Sequence, residues 1–292
     1  MPKRSTRLIC AVLVTSAAVC LAAGMTPKTP GAAARPGLAR AQESVSPHLT
    51  LGNPSGATDS ARNKNNYLLV KPQFALSYND DRGAPNWVSW HLQKSDVGAA
   101  TRKNDFHPEP DLPDGFKRVR PSDYDRTGFD RGHMCNSEDR TETQEDNTVT
   151  FSMANMQPQT PDLNRGVWLR LEAYSRTLLK QGNELYITAG CYGGTKTIGR
   201  ANKVTLPERC WKVVAVLKAG RNDLSRVDED TRVIAVDMPN KKGVRRDPWQ
   251  KYIVTVRDVE EKTGYDFLSE VPKRIQNVIE TKRDPGRAPR TR

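Results

Sequence analysis

Apolar residues fall in short runs bounded by turn-forming residues. Runs at 67–70 and 74–78 flank Pro72 and predict two strands, with Asn79-Asp80-Asp81-Arg82-Gly83 as the turn that follows. Residues 87–92 predict a third strand. Further strand-length runs lie at 148–153, 184–189, 210–217, 233–236 and 252–256. One segment has helical periodicity, from about residue 163 to Lys180 with Gly182 as its stop. Val167, Leu171, Tyr174 and Leu178 share a stripe there at roughly 100° per residue. Asn164, Trp168, Glu172 and Arg176 step by four along a neighbouring stripe. A shorter helix is predicted at 259–263, ended by Gly264. Strands and helices mix without β-α alternation, so the class is α+β rather than doubly wound. There is no internal repeat.

The chain's ends look different. Residues 1–23 read as a secretory signal: Lys3, Arg4 and Arg7 precede an apolar run broken only by Thr15 and Ser16, too short for a usual membrane span. This predicts a secreted or periplasmic protein with no membrane attachment after cleavage. Residues 24–65 are rich in Ala, Pro, Gly and Ser and read as flexible linker, residues 66–282 as one domain, and 283–292 as a disordered basic tail.

Charge narrows the function. With 46 Lys and Arg against 34 Asp and Glu, the net charge is +12. Such an excess favours polyanionic partners, nucleic acid first and an acidic membrane surface second; the plainer reading is solubility. Of five cysteines, Cys10 and Cys20 lie in the signal. The absence of any CxxC pair argues against a thiolate zinc site. Cys191 and Cys210 can bridge if the protein is exported, leaving Cys135 as a free, buried thiol beside a histidine.

That histidine, His133, is one of only four and lies in Asp130-Arg131-Gly132-His133-Met134. An irregular stretch rich in Pro, Asp and Arg precedes it from residue 100, and such segments inside a domain are usually functional. His91 reads as structural. Histidine suits a general base near neutrality, arginines match phosphate oxygens, and Mg²⁺ accepts few protein oxygens with waters filling the rest. The bland alternatives are a hydrogen-bonded turn histidine and a solvated helix face with a Glu172–Arg176 pair four residues apart. Lys241-Lys242-Gly243-Val244-Arg245-Arg246 is a basic loop that either tracks phosphates or is merely solvated.

Asp130-Arg131-Gly132-His133-Met134 resembles the signature of the DNA/RNA non-specific endonuclease family, within the ββα-metal nucleases. Trp87 to Leu92 resembles the family's strand upstream of the site. Asn155, Pro158, Gln159, Asn164 and Trp168 follow the family's spacing from its second asparagine motif into the helix, and Glu172, Arg176 and Arg102 fall at family positions. The likeness continues through 247–267 and spans roughly 67–279. It implies a central antiparallel sheet flanked by helices, with a ββα element placing His133 on a strand and Asn164 at a helix start. It implies His133 as general base and Asn164 as ligand of one Mg²⁺, with Mn²⁺ as the alternative ion. Glu172 would hold that ion's waters, Arg102 and Arg176 would stabilise phosphate charge, and Arg131 and Asn155 would bind substrate and support the site. Cys135 departs from the small inert residue expected there.

The expected activity is therefore an exported endonuclease acting on DNA and RNA with low sequence specificity and no stable protein partner. A phosphodiesterase of small nucleotides and a non-catalytic nucleic-acid-binding protein are the competing readings. The first needs a closed pocket and the second a lost base or metal ligand, yet His133 and Asn164 are both present.

Overall fold

A computed structural model describes residues 46–287. The signal expected at 1–23, the linker up to residue 45 and the tail from 288 lie outside the described residues.

The strands are β1 (Tyr67–Val70), β2 (Ala75–Asn79), β3 (Ala84–Leu92), β4 (Asp130–His133), β5 (Met156–Gln159), β6 (Asn183–Tyr192), β7 (Thr197–Ile198), β8 (Val204–Thr205), β9 (Arg209–Lys218), β10 (Arg232–Pro239) and β11 (Ile253–Val254). The helices are α1 (Gln144–Val149), α2 (Leu169–Lys180), α3 (Val256–Thr263) and α4 (Lys273–Ile279). Seven strands form one antiparallel sheet in the order β1-β2-β3-β6-β9-β10-β11. β4 and β5 make a separate two-stranded ribbon. This is the expected α+β architecture with a central antiparallel sheet.

Both sheet faces are covered, which is why the central strands read as near-continuous apolar runs rather than as alternation. On β9, Val214 faces a core shared with Trp90, Ile187, Trp168 and Leu171, while Val213 and Ala215 face a second core with Trp87, α3 and α4. Helix α2 and the β4–β5 ribbon belong to the first face. Cys191 and Cys210 sit opposite each other in the β6–β9 register and are bridged.

Three expectations need correction. The linker does not extend to residue 65: from residue 46 the chain lies on the second face, burying His48, Leu49, Leu51 and Ala57. His48 fixes it, with Nε2 2.8 Å from the Pro72 carbonyl and Nδ1 accepting from the His91 N–H at 3.2 Å. The basic tail is not disordered from 283, because buried Asp284 holds Arg232 at 2.6 Å. The run at 148–153 is not a strand. Thr143 caps α1 by accepting from the Asp146 N–H at 3.1 Å, and local capping wins over the β-branched composition of 148–150.

Candidate active site

The site is built where β4 ends. Gly132 lies so close to the buried Gln159 side chain that a Cβ there would fall 2.3 Å from its Oε1, so glycine leaves this glutamine its room against the ribbon. His133 follows, buried, with Phe151 edge-on at 4.9 Å and Phe106 at 5.7 Å. Its Nε2 is buried without a hydrogen-bond partner among the described residues. Burial, then the charge of Arg102, lowers its pKa to about 3, so the ring is held neutral.

Arg102 lies over the ring of the same Phe151 at 4.9 Å and donates to Ser137 Oγ at 2.8 Å and Asn104 Oδ1 at 2.7 Å. Arg131 stacks on Phe106 at 5.1 Å and pairs with Asp125 at 2.8 Å. Asn164 lies in a π-helical turn, Leu163–Trp168, directly before α2. Turns of this kind are frequent at functional sites. Its Nδ2 donates to Asp130 Oδ2 at 2.9 Å, which leaves the side-chain carbonyl as the free end. Arg165 grips both oxygens of Asp130, at 2.5 and 2.8 Å. Arg102, Phe106, Arg126, Arg131, Asn164 and Arg165 line one cleft of about 460 Å³, and His133 packs against its Phe106.

Two turns along α2 from Asn164, Glu172 points inward. Its Oε2 accepts from Asn136 Nδ2 and its Oε1 lies 3.6 Å from Lys212 Nζ. Burial raises its pKa, with Lys212 opposing. Arg176 pairs with Asp139 at 3.1 Å and with Glu138, so the Glu172–Arg176 pair of the solvated-face alternative does not form. Arg176 does not line the cleft; it borders an apolar recess at the end of α2 with Leu179 and Val97.

Asn155 is a correction. The family likeness implies that it binds substrate and supports the site; it is wholly buried, so only the supporting part fits its place. Its Oδ1 accepts from the Cys135 N–H at 2.9 Å, and its Nδ2 donates to the Cys135 and Thr150 carbonyls, both at 2.8 Å. It braces the turn after His133 and has nothing left to offer a ligand. Burial pushes the neighbouring Cys135 thiol up to about 12, which makes it a packing residue rather than a nucleophile.

Residues 52–274 match the profile of the DNA/RNA non-specific endonuclease family. The chain belongs to this family. It is 48% identical to the "Nuclease" of a Nostoc species over 278 residues, 94% of this chain and 99% of that one. It is 26% identical to the mitochondrial endonuclease G of Homo sapiens over 72% of each chain. A solved structure of an EndoG/EndoGI complex superposes with a TM-score of 0.67 at 27% identity, over 81% of this chain and 96% of that one. The protein is a non-specific endonuclease, a hydrolase of phosphodiester bonds.

Sequence reading of this endonuclease missed Lys212, Asn136, Phe106 and Phe151. Only Lys212 left a signal: it is a lone charge inside the apolar run 210–217. Among the described residues, His91, Glu184 and Asp223 bring ligand atoms within 4.8 Å of one another. They lie on the opposite sheet face from Trp90 and the nuclease site, since residues 90 and 91 of β3 point to opposite faces. Arg226 already pairs with both carboxylates, and His91 stacks on Tyr186 at 4.4 Å. His91 is thus structural, as its pattern suggested.

Proposed function

We propose that the protein is an exported, Mg²⁺-dependent endonuclease that cuts DNA and RNA with low sequence specificity, using His133 as general base. The observation that carries this reading is one cleft lined by Arg102, Arg131 and Asn164, whose side-chain carbonyl is free, with the neutral His133 packed against the cleft's Phe106. The neutral imidazole of His133 takes the proton of an attacking water on a ring nitrogen. An anionic phosphate in the cleft offsets Arg102, and so raises the ring's proton affinity when the base is needed. Arg102 and Arg131 face the phosphate oxygens and neutralise the charge that grows in the transition state. Arg176 supports this from behind, fixing Asp139 and Glu138 beside Ser137, to which Arg102 donates.

The oxygen donors fit a hard divalent cation. Asn164 presents its carbonyl because its amide nitrogen is tied to Asp130, and Glu172 Oε1 is buried without a hydrogen bond among the described residues. Asn164 would hold Mg²⁺ directly and Glu172 would orient its waters; the ion supplies charge neutralisation at the phosphate and leaving oxygen. Mn²⁺ satisfies the same donors.

A polymer fits better than a small nucleotide. The cleft shares Asp125 and Arg126 with a second recess of about 570 Å³ that runs on to Arg200, so the groove extends past one phosphate. Backbone contacts carry no base information, which favours low sequence specificity. Export is supported by the signal-like residues 1–23 and by the Cys191–Cys210 bridge, which suits an oxidising compartment. The test is degradation of supercoiled plasmid by residues 42–292 with Mg²⁺, with EDTA, and by His133→Ala. Plasmid should vanish only when both metal and His133 are present; intact plasmid from folded protein under every divalent ion tried would overturn the proposal.

A further inference from the structure

The basic loop at 241–246 is not part of the cleft, and the mechanism above leaves it unused. Its cations Lys241, Lys242, Arg245 and Arg246 are all exposed. The loop enters hydrogen bonds only through its backbone. The Lys241 carbonyl accepts from Thr160 Oγ1 at 3.3 Å, the Gly243 N–H donates to Asp162 Oδ2 at 2.7 Å, and the Arg245 carbonyl accepts from Arg170 Nη2 at 2.8 Å. The four charged side chains meet no acid and no hydrogen-bond acceptor among the described residues. The arginines nearer the reacting centre differ: Arg131, Arg165 and Arg176 each hold a carboxylate.

The backbone of this loop is fixed, and most of its ties run to one segment. Val244 is buried in the core. Asn240, at the loop's root, accepts from the Thr160 N–H at 2.7 Å and donates to the Pro158 carbonyl at 2.8 Å. Gly166 packs so tightly on Arg245 that an added Cβ would lie 2.8 Å from its Cα. Asn240 is also tied to the Pro207 and Glu208 carbonyls, at 2.9 and 2.8 Å, but every hydrogen-bond partner of Lys241, Gly243 and Arg245 named above lies between residues 160 and 170, the segment that carries Asn164. A fixed backbone spares the cost of ordering the loop, so only the cationic side chains are immobilised when they meet an anion.

We propose that Lys241, Lys242, Arg245 and Arg246 form a phosphate-binding track for the nucleic-acid strand flanking the scissile bond. Its ligand is the sugar-phosphate backbone, held in register with Asn164 by the shared docking segment. The inference rests on the nuclease reading and adds a binding surface outside the cleft. It assigns the loop to affinity for long substrates rather than to the reacting phosphate.

The experiment compares His133→Ala protein with and without Lys241→Gln, Lys242→Gln, Arg245→Gln and Arg246→Gln. Binding of a duplex oligonucleotide is titrated with KCl in EDTA. The slope of log K against log salt should become shallower by about 0.9 for each phosphate that the loop no longer neutralises. With His133 restored, KM for long duplex should rise while kcat stays close to that of the parent. Unfolding at the parent's temperature shows the fold intact; if four changes prove too many, Lys242→Gln with Arg246→Gln should give part of the same change in slope. An unchanged slope against a steep control overturns the track alone. A control that binds no duplex overturns the track together with the nuclease reading. An unchanged slope with lost sedimentation on phosphatidylglycerol vesicles overturns it in favour of a lipid surface.

Discussion

Lys212 carries a charge at a place where the sheet admits almost no water. It stands in the middle of β9, with its ammonium over the faces of Trp168 at 4.3 Å and Trp90 at 5.4 Å. Its ion-pair partner among the described residues is Glu172; burial lowers the lysine pKa, with Glu172 opposing. Removing one partner of such a pair leaves the other charge buried alone, at a cost of about 3–5 kcal/mol. Removing both is often neutral. Lys212→Met should therefore lower stability by that amount in denaturant titrations, and Glu172→Gln with Lys212→Met should recover most of it. Activity should separate from stability: the double variant should cleave no faster than Glu172→Gln alone, because the carboxylate proposed to orient the metal's waters is gone. A Lys212→Met protein as stable and as active as wild type would show that Glu172 does not depend on it.

The site rests on three short elements, and two of them are poorly legible in a sequence. β4 and β5 are four residues each and largely polar, so hydropathy offers no signal for them. The motif around His133 stood out through composition and family likeness instead. The helix bearing Asn164, Glu172 and Arg176 was clear from its period, but its first turn is π-helical and no pattern announces that. The tight packing of Gly166 on Arg245 joins that turn to the loop 79 residues further on, a proximity that residue spacing cannot reveal. Gly166→Ala tests this element. The new methyl would stand 2.8 Å from backbone atoms of Arg245, which cannot rotate away as a side-chain tip could. Overpacking of this kind costs about 1–3 kcal/mol. The turn should shift, so kcat at saturating metal should fall along with stability. Full activity with unchanged stability would mean that the turn tolerates displacement and that Asn164 is not held by this packing.

Over the whole molecule, the central strands were legible because both faces bury them, whereas the segment at 46–65 was not. It has no period, being rich in Pro, Gly, Asn and Ser, and its packing depends on a few anchors that only the folded sheet supplies. His48 is the clearest of these. Nδ1 accepts from the His91 N–H, so the proton sits on Nε2 and points at the Pro72 carbonyl. Burial, the largest influence, lowers its pKa from 6.5 to about 4, and Arg140 and His91 act the same way. The consequence for stability has a definite sign. The unfolded imidazole takes up a proton near pH 6.5 and the folded one only near 4. Protons therefore favour the unfolded chain in between, so stability is complete above about pH 6.5 and falls as pH drops towards 4, by up to about 3 kcal/mol. His133 tilts the curve in the same direction, so the comparison must be with a His48 variant. His48→Gln should be less stable than wild type at pH 8, where it loses a fitted anchor. It should also lose less stability between pH 7 and 5, so that the two denaturation curves converge as acid is added. Parallel curves over that range would mean that His48 does not titrate with unfolding, and that its ring is not what makes the anchoring of 46–65 sensitive to pH.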